Sequence, residues 1–249
     1  MLKRAAGVIL VLLCAAGVVA YQATRPEGAP SGARPFVPSP EFFLNFSPSF
    51  RTTIADAYYL QMVQYYGEHL RSGALESMPA MVDLVTSLSP HFRRAYIFGA
   101  FALTDAGRPD LSVKLLEKGF AANPDDWSFP AYLGYFAYQY GTGSKRENDA
   151  AGSQWYRKAA AIPGSPAYLL RLAAVLAGKA GEDEKAVVMW GQVYAGGDKY
   201  SRQKAVTELN TILPKDKAAR MKAVAPLQST MPQAELEALL GELFVGYTP

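Results

Sequence analysis

The sequence is short of the side chains that most catalytic and metal sites use. Its 249 residues include two histidines and one cysteine. Because a disulfide needs two cysteines, one within the chain is excluded. The residues beside the histidines, such as Glu68 and Arg93, do not complete the ligand spacing of a metal site. A nucleophile elbow is also absent. We therefore predict that the protein is not an enzyme and carries no cofactor or metal ion.

The sequence also lacks an excess of charge of either sign. The 25 basic and 22 acidic residues give a net charge of +3, and they are scattered along the chain, as on an ordinary solvated surface. Nothing in this pattern predicts binding to nucleic acid. The stretch GTGSK at 141–145 lacks the spacing of a Walker phosphate loop and a preceding strand, so we interpret it as a turn.

The one long apolar run stands near the N-terminus. Lys3 and Arg4 precede sixteen uncharged and mostly apolar residues, Ala5–Ala20. This pattern predicts that residues 1–21 enter a membrane, either as a retained anchor with its N-terminus inside or as a signal peptide cleaved after Ala20. Both outcomes export the rest of the chain. Cys14 is interpreted as a lipid-facing side chain without a specific role, with lipidation as the alternative.

The composition then changes to proline, glycine and serine over residues 22–47, which predicts a linker without helix or strand. Four phenylalanines stand at its end, and we expect them to dock against the first helix of the following domain, with a partner motif as the alternative. They are Phe42, Phe43, Phe46 and Phe50.

A period of 34 residues organises the middle of the chain. Gly73, Gly107 and Gly141 are spaced by 34 residues, and so are Pro90 and Pro124. Within one period the apolar pattern predicts two short helices joined by a turn. Because one such hairpin cannot bury its apolar faces alone, the pattern predicts an array.

This period, with its recurring glycine and proline residues, resembles the sequence pattern of the tetratricopeptide repeat (TPR) family. The large, small and closing residues of that pattern fall, in three successive units, on Tyr96, Ala100, Ser112, Gly119 and Pro124, on Leu133, Gly134, Gly141, Tyr156 and Ala159, and on Leu170, Ala174, Gly181, Ala186 and Trp190. The resemblance implies an all-α, right-handed solenoid of helical hairpins, with about 3.5–4 repeats over residues 48–198. The expected helix pairs are Thr53–Ser87, Arg94–Ala122, Trp127–Ile162 and Ala167–Tyr194.

Two departures from the repeat pattern carry further expectations. The stretch TGSKREN at 142–148 is interpreted as an insertion in a turn, too flexible to contribute to partner binding. Residues 199–249 are expected to form capping helices near Lys199–Leu213, Lys215–Leu227 and Gln233–Phe244. The alternative for the last of these is a helix that binds a partner.

The resemblance also implies where a partner binds, because in TPR-like arrays the first helix of each pair lines a concave groove. In this chain that geometry selects Arg94, Ile97, Phe101, Ala131, Tyr135, Tyr138, Tyr168, Arg171 and Val175. Since tyrosine and arginine concentrate binding energy at interfaces, the candidate partner-binding residues are Arg94, Phe101, Tyr135, Tyr138, Tyr168 and Arg171. The expected ligand is an extended peptide or a helix of another protein. The alternative is that these rings only pack between helices.

These observations predict a non-enzymatic TPR scaffold or adaptor with periplasmic repeats, tethered to the bacterial inner membrane through residues 5–20, or periplasmic or secreted if it is cleaved. It would serve as a subunit or assembly factor of an envelope or membrane complex. The alternative is an exported chaperone-like factor, or a pilus or outer-membrane assembly factor, that binds its clients transiently. An accessory module of a cell-wall enzyme is a third hypothesis.

Overall fold

The computed structural model describes residues 35–246 and the single residue Ala16. The predicted N-terminal segment, its cleavage point and residues 22–34 of the predicted linker otherwise lie outside the described part. The chain divides into two compact units, Met1–Val37 and Pro38–Pro249. All the helices described below belong to the second unit.

Residues 35–246 form twelve α-helices and no strand. The helices are α1 Pro40–Phe46, α2 Arg51–His69, α3 Met78–Leu88, α4 Arg93–Asp105, α5 Pro109–Ala122, α6 Ser128–Tyr140, α7 Lys145–Ala160, α8 Tyr168–Lys179, α9 Asp183–Gly196, α10 Lys199–Ile212, α11 Lys217–Val224 and α12 Gln233–Leu243. Short 3₁₀ turns at Pro48–Phe50 and Ala225–Ser229 precede α2 and follow α11. None of these helices combines the length and the apolar character needed to cross a bilayer.

Four consecutive helical hairpins make up the middle of the chain. The pairs α2–α3, α4–α5, α6–α7 and α8–α9 pack side by side, and α3–α4, α5–α6 and α7–α8 join each hairpin to the next. The helix pairs predicted from the 34-residue period agree with these bounds within a few residues. The all-α array of hairpins is therefore confirmed.

Glycine in a left-handed conformation ends the first helix of two hairpins. Gly107 has φ +74°, its N–H donates to the Thr104 carbonyl, and the N–H of Arg108 donates to the Leu103 carbonyl. These two bonds form a Schellman motif, which satisfies the last carbonyls of α4. Gly181, with φ +73°, ends α8 with the same pair of bonds. The recurring glycine thus marks the turn within a hairpin.

The turn after Gly141 is built differently. Gly141 has φ −61°, and only residues 141–144 separate α6 from α7. The Ser144 hydroxyl accepts a bond from the Glu147 N–H, and the Glu147 carboxylate accepts one from the Ser144 N–H. This capping box starts α7 at Lys145. The prediction of a flexible seven-residue insertion is therefore wrong, because its last four residues form the first turn of a helix.

Small residues let the helices approach closely. A Cβ at Gly119 would lie 2.3 Å from Cε1 of Phe129, so only glycine leaves room for this fully buried ring between α5 and α6. Phe129 also meets Tyr96 edge to face, with ring centroids 5.5 Å apart. The buried Ser112 hydroxyl donates to the Ala100 carbonyl at 2.7 Å. These contacts confirm the predicted positions of small residues between helices.

Three helices cover the C-terminal end of the array. Leu209 of α10, Leu227 of the second 3₁₀ turn and Leu239 of α12 are fully buried and join one core with α8 and α9. The helix expected over Lys215–Leu227 is shorter than predicted and ends at Val224. Pro226 explains the shortening, since it has no N–H to donate to the Lys222 carbonyl, and the chain continues as a 3₁₀ turn instead of an α-helix.

The N-terminal end of the array departs most from expectation. Residues 40–46 of the predicted linker form α1. Of the four phenylalanines expected to dock, only Phe43 packs against α2, where its ring lies 5.9 Å from that of Tyr58. Phe42, Phe46 and Phe50 remain 52%, 75% and 65% exposed. The expectation is wrong for these three. The seven-residue helix α1 presents only one narrow face to its neighbour, which leaves Phe42 and Phe46 outside, and Phe50 ends a 3₁₀ turn with no buried residue.

The close approach of α6 and α7 gives a stability prediction. A Cβ at Gly134 would lie 3.1 Å from the Tyr156 ring and 3.2 Å from the Gly152 carbonyl oxygen. Gly134→Leu should therefore lower the free energy of unfolding by about 1–3 kcal/mol or more through overpacking. The matched control is Gly67→Leu on α2, where a Cβ would meet nothing within 4 Å. Urea unfolding of both variants measures the difference, and an equal effect at the two sites would contradict this packing.

Candidate functional site: an aromatic cleft

A cleft of about 770 Å³ runs across the first helices of the four hairpins. Its walls carry aromatic and aliphatic side chains and two arginines. We call it the aromatic cleft, and its lining residues are Tyr59 of α2, Arg93, Arg94, Ile97, Phe98 and Phe101 of α4, Trp127 before α6, Ser128, Ala131, Tyr132 and Tyr135 of α6, Tyr156 of α7, and Tyr168, Leu169 and Leu172 of α8.

Helical spacing explains why these side chains share one surface. On α4, Arg94, Ile97 and Phe101 stand at positions i, i+3 and i+7, which lie on one face of a helix. On α6 the corresponding positions are Ser128, Ala131 and Tyr135. Because the hairpins pack in sequence, the same face of each first helix contributes to one continuous cleft.

Contacts between rings fix the middle of the cleft. Phe101 of α4 meets Tyr132 edge to face at 5.8 Å between centroids, and it also contacts Tyr135 at 5.9 Å. At the α2 end, the Phe98 ring lies 6.1 Å from Tyr59 and 5.2 Å from Tyr66. Edge-to-face pairs of this kind favour one relative orientation of the rings. The cleft therefore has a largely preformed floor.

The charged side chains in the lining of the cleft are two arginines. Arg93 pairs with Asp126 at 3.6 Å, whereas exposed Arg94 has no ion pair among the described residues. The lining contains no aspartate or glutamate. Burial raises the pKa of Tyr156 to about 12, so its phenol stays neutral at physiological pH. The cleft thus attracts negative charge through a guanidinium group at the edge of an apolar surface.

The structure brings together four of the six candidate residues named from the sequence. Arg94, Phe101, Tyr135 and Tyr168 all line the aromatic cleft. Ile97 and Ala131, which the same register selected as lining, are there too. Tyr168 is the most accessible of the tyrosines in the lining, with 45% of its surface exposed.

Tyr138 and Arg171 lie elsewhere. The Cβ of Tyr138 faces Gly152 of α7, and its ring lies 4.2 Å from the Lys145 ammonium group. The Arg171 guanidinium donates to the Ser201 hydroxyl at 2.9 Å and lies 6.0 Å from the Tyr200 ring. It therefore faces α10, in a shallow depression of about 160 Å³ between α8, α9 and α10. Val175 is half-buried against the core of α8 and α9.

Several lining residues were not expected from the sequence. Tyr132 follows Ser128 by four residues and so shares the face of Tyr135, a signal that was present in the sequence but not used. Tyr59 belongs to the first hairpin, for which the repeat pattern selected no lining residue. Trp127 directly precedes α6 with helical backbone and stands four residues before Ala131, so helical spacing places it on the same face.

Comparisons with known proteins add no assignment to this geometry. The chain matches none of the protein-family models and none of the curated proteins with which it was compared. Within residues 35–246 and at Ala16, no group of three or more histidine, cysteine, aspartate or glutamate side chains is placed to hold a metal ion. The aromatic cleft is therefore the candidate site on the evidence of its geometry.

Two substitutions separate the structural rings from the accessible ones. Phe101→Ala should lower the free energy of unfolding by about 2 kcal/mol, because it removes contacts with several rings. Tyr168→Ala should change it by no more than about 0.5 kcal/mol, since that side chain is 45% exposed. Urea unfolding followed by circular dichroism measures both effects. If Tyr168→Ala lowered the free energy of unfolding more than Phe101→Ala, Tyr168 rather than Phe101 would be the structural ring, which would contradict this description.

Proposed function

We propose that the chain is a non-enzymatic scaffold that binds a segment of another protein in the aromatic cleft. It acts as a subunit or assembly factor of a bacterial envelope or membrane complex, tethered through residues 5–20. The observation that carries this proposal is the cleft itself. Four consecutive first helices contribute to one apolar surface that is preformed and open to solvent, as ligand sites usually are.

The TPR relationship and the right-handed superhelix belong to this proposal. They are supported by the hairpin pairs, by the Schellman turns at Gly107 and Gly181, and by small residues such as Gly119 and Ser112 between helices. A capped array with one face of rings is the arrangement that repeat proteins use to hold extended ligands.

The chemistry of the lining defines the segment that fits. Rings of α4, α6 and α8 offer apolar area, and the Arg94 guanidinium offers charge-assisted hydrogen bonds to a carboxylate. The hydroxyls of Tyr59, Tyr132 and Tyr168 make no hydrogen bond within the described residues, so they are available as donors. We infer that the bound segment, an extended peptide or a helix, presents apolar side chains together with an acidic group.

A transient chaperone-like role is the second candidate, and one observation favours it. The lining is dominated by ring faces and edges, and these tolerate different apolar side chains better than a network of directed hydrogen bonds does. Purification from detergent-extracted membranes separates the two roles. One partner in fixed ratio supports a subunit, and many clients in low amounts support a chaperone.

Paired substitutions test the cleft, with the purified full-length protein and its co-purified partner. Arg94→Ala with Tyr168→Ala should weaken partner binding by roughly 2 kcal/mol, or about 30-fold in Kd. The matched control is Arg171→Ala with Tyr200→Ala, an arginine and tyrosine pair outside the cleft. This control should leave the Kd within about threefold of the unchanged protein.

Both double variants must first keep the helical circular dichroism signal and the unfolding midpoint. If the Arg171 and Tyr200 control then lost binding while the cleft variant kept it, the partner site would lie at the α8–α10 edge. If both double variants still bound the partner, the partner would contact neither surface, and this would contradict the proposed function.

The membrane tether gives a separate prediction about topology. Because Lys3 and Arg4 should stay inside, a phosphatase that needs export should be active when fused after Pro249. Fluorescence of a reporter that folds only in the cytoplasm would contradict export. Intact-mass measurement of the purified protein then distinguishes a retained anchor from a chain that begins at Tyr21.

A further inference from the structure

The N-terminal end of the second unit carries an exposed group of phenylalanines. We call Phe42, Phe46 and Phe50 the phenylalanine cluster. They are 52%, 75% and 65% exposed, and the rings of Phe42 and Phe46 contact each other with centroids 5.3 Å apart. A single exposed ring is ordinary on a protein surface, whereas three within nine residues are a candidate interaction site.

The two ends of the helical array differ in how they are covered. At the C-terminal end, Leu236, Leu239 and Leu243 of α12 are buried in the core. At the other end, Leu60 and Val63 of α2 remain 63% and 37% exposed, in addition to the phenylalanine cluster. The helix α1 packs against α3, but none of its residues is buried, so it covers the N-terminal end less completely than α12 covers the C-terminal end.

The surroundings of the cluster favour an apolar occupant. Glu41 is the only charged residue in the sequence from Phe36 to Phe50. Long-range attraction to a strongly charged partner such as nucleic acid is therefore not expected at this stretch. Few charges lose their hydration when the rings enter an apolar environment.

The preceding chain supplies a specific apolar environment. The apolar run Ala5–Ala20 is separated from Pro40 by nineteen residues. Nineteen residues span at most about 65 Å when fully extended. If Ala5–Ala20 lies in a bilayer, the cluster is thus held near the surface of that bilayer. Tethering at such distances gives a high effective concentration, so even weakly binding rings become occupied.

We propose that the phenylalanine cluster docks on the surface of the bilayer that holds residues 5–20. Its rings enter the interfacial region, where amphipathic helices bury phenylalanine and leucine side chains. This inference rests on the proposed membrane tether. Docking would hold the N-terminal hairpin at the membrane, and a partner in the aromatic cleft would then be held at a limited distance from the bilayer.

The test uses the full chain reconstituted in phosphatidylcholine vesicles, with Cys14→Ser to remove the only native thiol. Asn45→Cys on α1 carries an environment-sensitive fluorophore beside the cluster, and Gln203→Cys on α10 is the matched exposed control. Lipids with a shallow nitroxide quench fluorophores that lie at the interface. Quenching at position 45 should exceed that at position 203 by roughly twofold or more.

A triple variant, Phe42→Ser with Phe46→Ser and Phe50→Ser, should reduce the quenching at position 45 to the level of position 203. Phe43 stays in place, so the contact with Tyr58 and the unfolding midpoint should be kept. Vesicle flotation reports the tether independently and should be the same with and without the triple substitution. Equal quenching at both positions in a protein that floats would overturn the docking proposal and leave the tether standing.

Two other outcomes also contradict the docking proposal. If the protein does not float with the vesicles, the proposed tether fails, and the docking inference fails with it. If the fluorescence at position 45 instead depends on protein density, lipid quenching is weak and dimers are found by sedimentation, a second copy of the chain covers the cluster.

Discussion

The close approach of neighbouring helices at small residues is the constraint on which the rest of this structure depends. At Gly119 a single added carbon would lie 2.3 Å from the Phe129 ring, and at Gly134 it would press on the Tyr156 ring and the Gly152 carbonyl. Because α5, α6 and α7 pack this tightly at the two glycines, their relative orientation is fixed. The faces of α2, α4, α6 and α8 therefore meet in one surface.

That surface combines contacts that stabilise the fold with area that is open to solvent. Its rings contact one another strongly enough to be part of the fold, as Phe101 does with Tyr132 and Tyr135, yet Tyr168 and Leu172 remain partly open to solvent. Arg94 stands beside them without a carboxylate in the lining to neutralise it. An apolar surface of this size with unbalanced positive charge favours a ligand that is apolar and acidic.

The sequence predicts the hairpins well because their signals are local. Helical periodicity and the recurring glycine and proline depend on short-range backbone geometry, so the outer bounds of the four helix pairs follow within a few residues. Gly141 shares the spacing without the left-handed conformation, because a capping box at Ser144 and Glu147 starts α7 instead. The regular spacing thus located the turn but carried no information about how its backbone is built.

The residues whose positions could not be predicted from the sequence are those that tertiary contacts determine. Tyr138 and Arg171 followed the same register as the cleft residues, but one faces Gly152 and the other Ser201, and neither neighbour can be identified from spacing within a helix. The exposure of Phe42, Phe46 and Phe50 is a similar case, since an apolar side chain is expected to be buried unless the covering element is known to be missing. The membrane segment and the identity of the partner remain predictions.

The central claim is that the aromatic cleft contacts the partner, and site-specific photo-crosslinking in cells tests it most directly. A photoreactive phenylalanine replaces Tyr132 inside the cleft or, as a control, the exposed Gln154 on α7, outside the cleft lining. The account predicts that position 132 crosslinks to one segment of a partner protein, which contains apolar and acidic residues, and that position 154 does not. Crosslinks to a partner from position 154 alone would contradict it.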